Sequence, residues 1–244
     1  MAHSVEEVVK NLKEVNIPKP TTTIGRQAFA DTIRLEKVTI PSSVVTMSSE
    51  VFYNAIKLSQ LNFNAKNATV PPIWRYDDAR GVGVFTGAGS GTTSFKVIFG
   101  SSVQVVPANL FNTDYENGYD YAHVTSVQFS SSVKTIDNQA FGFCNKLSDV
   151  YYTGSKGVWE DILIGSYNEK LTNATIHYNY GKQIIGDVTG DGEVAVNDVI
   201  YVLKYVVGNA ELTEEQFAKA DLSGDGKITI VDAIMIQKLI LDMV

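Results

Sequence analysis

Two short acidic segments near the C-terminus carry the residues best suited to chemistry. DVTGDGEVAVND, from Asp187 to Asp198, and DLSGDGKITIVD, from Asp221 to Asp232, align at an offset of 34 residues. Each segment has aspartate at positions one, five and twelve and glycine at position six. Calcium takes six to eight oxygen ligands, which a tight loop can supply from alternate positions. The sequence therefore predicts two calcium ions, one held by Asp187, Thr189, Asp191, Asp198 and the backbone carbonyl of Glu193, the other by Asp221, Ser223, Asp225, Asp232 and the backbone carbonyl of Lys227.

The two segments depart from an EF-hand loop in the same way. An EF-hand expects glutamate at position twelve, where Asp198 and Asp232 stand, and an incoming helix, for which there is no pattern before Asp187. Gly192 and Gly226 occupy position six, where the loop must turn sharply in a conformation that penalises any Cβ atom. One such acidic string alone is a common turn. Two copies that each lead into a helical pattern favour metal binding.

The elements that must position these loops are short helices. Each loop is followed by an apolar stretch with helical spacing. Between the copies, Thr213 and Gln216 form a capping-box pattern that predicts a short helix ending at Ala220. The predicted order is loop, helix, linking helix, loop and helix, which is a small all-α domain. The predicted apolar stripes are Val199, Val202, Leu203 and Val206 in the first copy and Ile234, Ile236, Leu239 and Ile240 in the second.

The net charge of the chain is concentrated in the same region. The 244 residues carry a net charge of −7, and residues 184–244 hold 11 acidic and 4 basic side chains, so the rest is neutral. An acidic region repels nucleic acid and attracts cations, so we expect no nucleic-acid partner. No stretch reaches the ~18 consecutive apolar residues of a membrane helix, so we expect no membrane insertion. The first twenty residues show no signal-peptide pattern.

A second, looser repeat runs through most of the remaining chain. The segment that begins at Ile24 realigns 23 residues later, so that Val38 falls on Leu61 and Ile40 falls on Phe63. Each unit has a short alternating strand, a Ser-Ser turn and a segment that ends in an aliphatic-Phe pair. One unit cannot bury its apolar face alone, so the units must stack into a solenoid. The predicted fold class is an α/β-type repeat solenoid of short strands, turns and short helices.

The repeat register divides the chain into domains. Cys144 stands where earlier units have Thr32 and Ala55, which predicts a small, buried and unreactive thiol. A single cysteine also excludes an internal disulfide framework. Trp159 and Ile162 are predicted to cap the last repeat. The predicted bounds are an N-terminal cap or partly disordered segment at 1–23, the repeat domain at 24–180 with insertions at about 64–95 and 112–123, a linker at 181–186 and the metal-binding domain at 187–244.

The duplicated acidic region resembles a type I dockerin over about 60 residues. GDVTGDGEVAVNDVIYVLKYVVG and ADLSGDGKITIVDAIMIQKLIL have the position-twelve aspartate and the missing first helix that are typical of that family. The resemblance implies two calcium-ordered antiparallel helices that bind a cohesin module of a scaffoldin, as in a cellulosome-type assembly. It also implies cohesin-contacting positions, which here are Val196, Asn197, Leu203, Lys204, Ile230, Val231, Gln237 and Lys238.

The two halves of this region differ at their docking positions. Some dockerins bind in two orientations because of their internal symmetry. Asn197 in the first half corresponds to Val231 in the second, which breaks the symmetry and favours one dominant orientation. The apolar residues Val196, Ile230 and Val231 at these positions indicate a hydrophobic interface, although Val196 and Ile230 could instead pack the loops together.

Residues 24–180 resemble the BspA-type leucine-rich repeats of bacterial surface proteins. The units IGRQAF-x5-L-x2-V-x-IPSSV and VKTIDNQAF-x5-L-x2-V-x-Y carry the resemblance, together with the closing YYTGSKGVWEDI. Such domains are associated with adhesion and recognition, which implies a surface for an unknown protein or glycan ligand. The two resemblances together imply a secreted protein that is extracellular or attached to the cell surface through the scaffoldin.

An enzyme is the alternative function. The sequence has no Gly-x-Ser-x-Gly, His-Glu-x-x-His or phosphate-loop pattern, and we predict no catalytic residues. Glycoside cleavage needs two carboxylates ~5–10 Å apart, for which Asp77-Asp78 and Glu160-Asp161 are the available pairs, although solvated charge explains both. A carbohydrate-active or peptide-cleaving enzyme with an unrecognised site stays open beside the non-catalytic protein that we predict.

Overall fold

Two compact units make up the described part of the chain. The computed structural model describes residues 11–71, 83–112, 121–181 and 184–242. The first unit takes in the described residues up to Tyr151 together with Gly157–Ile176. The second takes in Tyr152–Lys156 and the described residues from His177 onward. The domain bounds given above stay a prediction.

Short strands dominate the first unit because each repeat contributes one alternating segment. In every four-residue strand, the second and fourth side chains are buried and the first and third are half-exposed, the pattern of a strand with one solvated face. The part of the chain that the structure describes contains the strands β1 (Glu14–Asn16), β2 (Thr23–Ile24), β3 (Lys37–Ile40), β4 (Thr46–Met47), β5 (Gln60–Phe63), β6 (Lys96–Phe99), β7 (Val105–Val106), β8 (Ser126–Phe129), β9 (Thr135–Ile136), β10 (Asp149–Tyr152), β11 (Leu163–Ile164) and β12 (Thr175–His177).

One long sheet runs along the stacked repeats. Within the described ranges it contains seven strands in the order β1-β3-β5-β6-β8-β10-β12, and the neighbours from β1 to β8 are parallel. Val38 pairs with Leu61 and Ile40 pairs with Phe63, which confirms the predicted register. Parallel neighbours need a crossover, so each repeat makes one turn of a solenoid. Two smaller sheets have the orders β11-β9-β7 and β2-β4.

A stack of phenylalanine rings fills the core of the solenoid. Ring centroids are 5.4 Å apart for Phe29 and Phe52, 5.1 Å for Phe52 and Phe85, 5.1 Å for Phe85 and Phe111, and 5.4 Å for Phe111 and Phe141. These distances are those of interacting aromatic pairs. The aliphatic-Phe pair of each repeat therefore packs on the same residue of the next repeat.

Part of the segment predicted as an insertion belongs to this core. The register break at about 64–95 predicts surface loops, and this is wrong for residues 83–95, because Phe85 fills the aliphatic-Phe position of a repeat. That repeat has no Ser-Ser turn beside its glycine-rich GVGVFTGAGSGTT, so its register was missed. Most of the remaining residues of both predicted insertions lie outside the described ranges. The buried side chains of this repeat are Val84, Phe85, Thr86, Ala88 and Phe95.

We expect Phe85→Ala to lower the free energy of unfolding of the solenoid by about 3–5 kcal/mol, since it leaves a cavity in the middle of the ring stack. Val45→Ala, at an exposed position, is the control and should cost less than about 0.5 kcal/mol. Urea unfolding followed by circular dichroism measures both. A loss below about 1 kcal/mol for Phe85→Ala would show that residues 83–95 do not belong to the core.

The last repeats end as the sequence predicts. Trp159 and Ile162 are buried against the end of the solenoid core. Cys144 is fully buried, as are Thr32 and Ala55 at the matching positions of earlier units. Burial raises the pKa of the Cys144 thiol well above its ordinary value, so the thiol is protonated at neutral pH. The prediction of a buried cysteine is confirmed.

The C-terminal part of the chain is mainly helical. The predicted fold class is therefore confirmed both for the repeat solenoid and for the C-terminal helical region. Thr213 accepts a hydrogen bond from the Gln216 N–H at 3.2 Å, and the Gln216 side chain accepts one from the Thr213 N–H at 3.0 Å, which confirms the capping box. Val188, Val202, Ala220, Ile228, Ala233 and Ile236 form a small core between the loops and helices. Among the described residues, the helices are α1 (Lys156–Glu160), α2 (Glu169–Thr172), α3 (Val196–Val206), α4 (Glu214–Ala220) and α5 (Ile230–Asp242).

Candidate metal centre and docking face

Three carboxylates of the first acidic loop come together. Oxygen atoms of Asp187, Asp191 and Asp198 lie within 4.8 Å of one another. Asp187 precedes the turn of the loop and Asp198 lies in the first turn of α3, so the loop folds back onto the helix that follows it. Asp187 and Asp198 are buried, while Asp191 is exposed. The cluster offers only oxygen donors, which are the ligands that calcium prefers.

Hydrogen bonds from the backbone hold the two buried carboxylates. Asp187 accepts from the N–H of Gly190 at 2.8 Å and from that of Gly192 at 3.2 Å. Asp198 accepts from the Thr189 N–H and hydroxyl, each at 2.8 Å, and from the Ala195 N–H at 2.9 Å. The aspartates at positions one and twelve therefore organise the loop as well as supply oxygen atoms.

The second loop repeats this arrangement. Asp221 accepts from the Gly226 N–H at 2.9 Å. Asp232, in the first turn of α5, accepts from the N–H groups of Ser223 at 3.0 Å and Thr229 at 2.8 Å. Gly226 has a φ of +76° and its counterpart Gly192 a φ of +89°, so the left-handed turn expected at position six is present in both loops.

The other predicted ligands lie around the same two loops. The Thr189 hydroxyl donates to Asp198, as described, and the Ser223 hydroxyl donates to Asp221 at 3.2 Å. The backbone N–H of Glu193 donates to Asp191 at 3.0 Å, and that of Lys227 donates to Asp225 at 2.9 Å. The structure thus brings each predicted set into one loop, and their binding of metal stays a prediction.

Burial raises the free-energy cost of ionising Asp187, one of the predicted ligands. Desolvation, together with the neighbouring Asp198 carboxylate, raises the pKa of Asp187 above its ordinary value despite its backbone hydrogen bonds and the charge of Lys219. Desolvation also acts to raise the pKa of Asp232, but the hydrogen bonds from Ser223 and Thr229 outweigh it and leave that pKa lowered. A divalent cation would offset the desolvation cost at Asp187, so this donor set fits a metal ion.

All eight residues implied as cohesin contacts are exposed. They lie on the loop ends and on the outer sides of α3 and α5, so none of them is needed to pack the two loops together. Val196 and Ile230 are exposed, which disagrees with the alternative that they pack the two loops together. The exposed residues are Val196, Asn197, Leu203, Lys204, Ile230, Val231, Gln237 and Lys238.

The apolar stripes predicted for the two helices are partly wrong. Val202 and Ile236 lie in the core, but Leu203, Val206 and Ile234 are exposed. The helices α3 and α5 pack mainly on each other, and two short helices in mutual contact bury only a narrow face of each. Apolar side chains beside that face are therefore left at the surface.

Two residues outside the loops act on the first site, Lys219 through its charge, which lowers the pKa of Asp187, and Asn179 through a hydrogen bond, and sequence reasoning missed both. Lys219 on α4 is buried, and its ammonium lies 3.2 Å from Glu215. The side-chain amide of Asn179 donates to the carbonyl oxygen of Gly192. A lysine on the inner side of a predicted helix is a signal that could have pointed to Lys219. No pattern in the sequence marks Asn179.

The carboxylate pairs of the enzyme alternative gain no support in the described ranges. Glu160 and Asp161 are both exposed, as the solvated-charge interpretation predicts. Asp77-Asp78 lies outside the described residues.

Family models match both regions of the chain. The BspA type leucine rich repeat region matches residues 7–72 and 112–180 in six copies, and the dockerin type I domain matches residues 185–241. The repeat matches cover more than half of the 244 residues. The chain therefore belongs to the BspA-type leucine-rich-repeat family and carries a type I dockerin at its C-terminal end, which confirms both resemblances.

A leucine rich cell surface protein from Faecalibacterium prausnitzii is a similar solved structure. It is 16% identical, the similarity covers 70% of this chain and 48% of that chain, and the TM-score is 0.34. This chain thus spans about half the length of that protein. A comparison with curated proteins found no match.

The two domains define a general class of protein. Leucine-rich-repeat and dockerin domains are non-catalytic in themselves, and dockerin type I domains bind calcium. Together they define a leucine-rich-repeat protein that carries a dockerin, a combination that supports an extracellular or surface-associated location. Within the described residues, the helices are too short or too polar to cross a membrane.

Proposed function

We propose that this chain is a non-catalytic component of a cellulosome-type assembly. Its dockerin, loaded with two calcium ions, binds the cohesin of a scaffoldin, and its repeat domain presents a surface that recognises a protein or a glycan. The scaffoldin then holds the chain outside the cell, either in the medium or at the cell surface.

Matched exposed apolar residues in the two halves carry this proposal. Val196 and Ile230, at loop position ten, are 63% and 58% exposed. Ile200 and Ile234, one helical turn later, are each 47% exposed. Single exposed apolar residues need no explanation, but the same pair at the start of two helices forms a face for a partner to cover. A lysine in the next turn of each helix supplies a basic rim.

Calcium has a structural role in this proposal. When bound, it neutralises the clustered carboxylates, and the chain's own loops then hold α3 and α5 in place to present the docking face. We assign to the first ion Asp187, Thr189, Asp191, Glu193 and Asp198, and to the second Asp221, Ser223, Asp225, Lys227 and Asp232.

Titration calorimetry against a panel of cohesins tests the docking role. We expect saturable binding of at least one cohesin in calcium and none in a chelator. Replacing Asp187 and Asp221 together by alanine should abolish binding, whereas Glu214→Ala, an exposed acid outside both loops, should not. If calcium binds and no cohesin does, the dockerin is a calcium-stabilised module of another kind and the assembly role is wrong.

The outward face of the seven-stranded sheet is the recognition surface that we assign to the repeat domain. The Asn62 side-chain amide donates to the Thr39 hydroxyl at 3.2 Å, and the Gln60 side-chain amide donates to the side-chain oxygen of Asn62 at 2.9 Å. Further along, the Lys96 ammonium lies 5.8 Å from the centroid of the Tyr151 ring. Half-exposed amides and an aromatic ring can bind sugar hydroxyls or a peptide backbone.

Glycan and protein arrays probed with the full chain test this surface. Gln128 is a half-exposed amide on the outward face of β8. We expect a ligand whose binding is weakened roughly tenfold or more when Gln128 and Tyr151 are both changed to alanine, since one or two hydrogen bonds and a stacking contact are lost. Leu163→Ala, at an exposed position on a different sheet, is the control. Hydrolysis of a polysaccharide during the assay would instead support the enzyme alternative.

A further inference from the structure

The two proposed calcium loops share the hydrogen bonds from their backbone N–H groups to their aspartates but differ in their surroundings. Asp187 is 3% exposed and Gly192 is buried, whereas Asp221 is half-buried and Gly226 is exposed. The carboxylates of the first loop lie within 4.8 Å of one another, and the described residues hold no second cluster of this kind. The first loop is therefore covered by a part of the chain that the second loop does not have.

The segment just before the dockerin supplies this cover. The side-chain amide of Asn179 donates to the carbonyl oxygen of Gly192. A Cβ atom added to Gly192 would stand 2.5 Å from the carbonyl oxygen of Tyr178, so only glycine fits beneath the segment. A Cβ atom added to Gly226 would meet nothing within 4 Å. All of these residues belong to the second compact unit.

Backbone hydrogen bonds fix the covering segment. The N–H of Asn179 donates to the Gly154 carbonyl and that of Tyr180 donates to the Tyr152 carbonyl, each at 2.8 Å. Asn179 has a φ of +51°, in the left-handed region that asparagine adopts more readily than most residues. Its amide is therefore presented to the first loop from a defined backbone position.

Asn179 holds the peptide group between Gly192 and Glu193, which directly precedes the predicted backbone ligand of Glu193. The N–H of Glu193 belongs to the same peptide and donates to Asp191, and the Glu193 carbonyl is the predicted backbone ligand. On the outer side, the Asn197 amide donates to the other Asp191 oxygen at 2.7 Å, where the second loop has Val231. A loop that is already in the binding shape loses less conformational freedom when the ion binds, so it binds more tightly.

We infer that the first loop is the tighter and slower-releasing calcium site and that Asn179 is a positioning residue for it, an inference that rests on the proposed calcium binding. Calcium in the first loop in turn stabilises the segment Tyr178–Tyr180, because the same hydrogen bond links the two. The second loop, which is not covered, loses its ion first when calcium falls.

Stopped-flow mixing of the calcium-loaded full chain with a fluorescent chelator tests whether the two loops release calcium at different rates. We expect two release phases of equal amplitude that differ in rate by about tenfold or more, as two extra hydrogen bonds predict. Asp191→Ala should remove the slow phase and Asp225→Ala the fast one. A single phase, or the opposite assignment, would overturn the inference.

Asn179→Gly tests the positioning residue itself. Glycine keeps the left-handed backbone and removes only the amide. We expect the slow phase to become roughly fivefold faster, which corresponds to one hydrogen bond, while the fast phase and the helicity in saturating calcium do not change. An equal change in both phases, or none in the slow phase, would contradict a role for Asn179.

The two position-six glycines give a matched control pair. Gly192→Ala and Gly226→Ala impose similar backbone strain, since both residues have a positive φ, but only Gly192→Ala also drives a methyl group into Tyr178. We expect Gly192→Ala to accelerate release at least tenfold more than Gly226→Ala. Equal effects would show that there is no cover. A chain that binds no calcium would refute the proposed function, whereas two ions released at one rate would refute only this inference.

Discussion

We expect chelation of calcium to unfold the three C-terminal helices and to leave the repeat solenoid folded. Oxygen atoms of the carboxylates of Asp187, Asp191 and Asp198 lie within 4.8 Å of one another, so in the absence of a cation these like charges repel. The small core around Val202 and Ile236 cannot offset several such terms, because so small a module buries little apolar surface. Helix formation and calcium binding are therefore one coupled equilibrium.

Far-ultraviolet circular dichroism and limited proteolysis measure this effect. A chelator should remove the helical signal of α3, α4 and α5 and open residues 184–242 to protease, while the solenoid stays resistant. Calcium should restore both properties, and magnesium should not, since it demands a smaller octahedral site. If the helical signal and the resistance to protease do not change in chelator, the prediction that calcium orders this module is wrong.

We expect the replacement of Ile200 and Ile234 together by aspartate to abolish the proposed cohesin binding. Both side chains are half-exposed at the centre of the matched apolar faces, so the change leaves the small core intact. A carboxylate buried without a partner in an apolar interface costs several kcal/mol. We expect the dissociation constant to rise by roughly a thousandfold or more, which is about 4 kcal/mol.

The two single substitutions separate the binding orientations. Asn197 and Val231 make the halves unequal, so we predict that one of Ile200→Asp and Ile234→Asp abolishes binding and the other does not. Retained binding in both would show that the two halves substitute for each other. Leu163→Asp, at an exposed apolar position in the repeat domain, is the control and should bind normally. Normal binding of the double variant would place the interface elsewhere.

Local features of the sequence were read correctly wherever a residue's role depends on its near neighbours. The capping box of Thr213 and Gln216 and the left-handed turn at Gly192 each depend on residues within one loop or one helical turn. The strand register of Val38 and Leu61 was also predicted, because a repeat copies the same local pattern at a fixed interval.

Features that depend on what packs against a segment were missed. Residues 83–95 lack the Ser-Ser turn of the other repeats, and only the stacking of Phe85 between two other rings shows that they continue the solenoid. Leu203 and Ile234 follow the helical period of a buried stripe, but a two-helix module covers too narrow a face to bury them. Period alone does not say how wide the covered face is.

The amino-acid sequence by itself determined that this protein has a repeat solenoid and two acidic loop–helix motifs, because both are written as local patterns that recur. Only the tertiary structure decided that the two loops are unequal. Their twelve-residue patterns match at every aspartate and at the turn glycine. Asn179 nevertheless forms a hydrogen bond with Gly192 of the first loop, whereas Gly226 of the second loop has open space beside it. That contact joins residues 13 apart in the sequence and is not part of any repeated pattern. It therefore depends on how the chain folds back on itself.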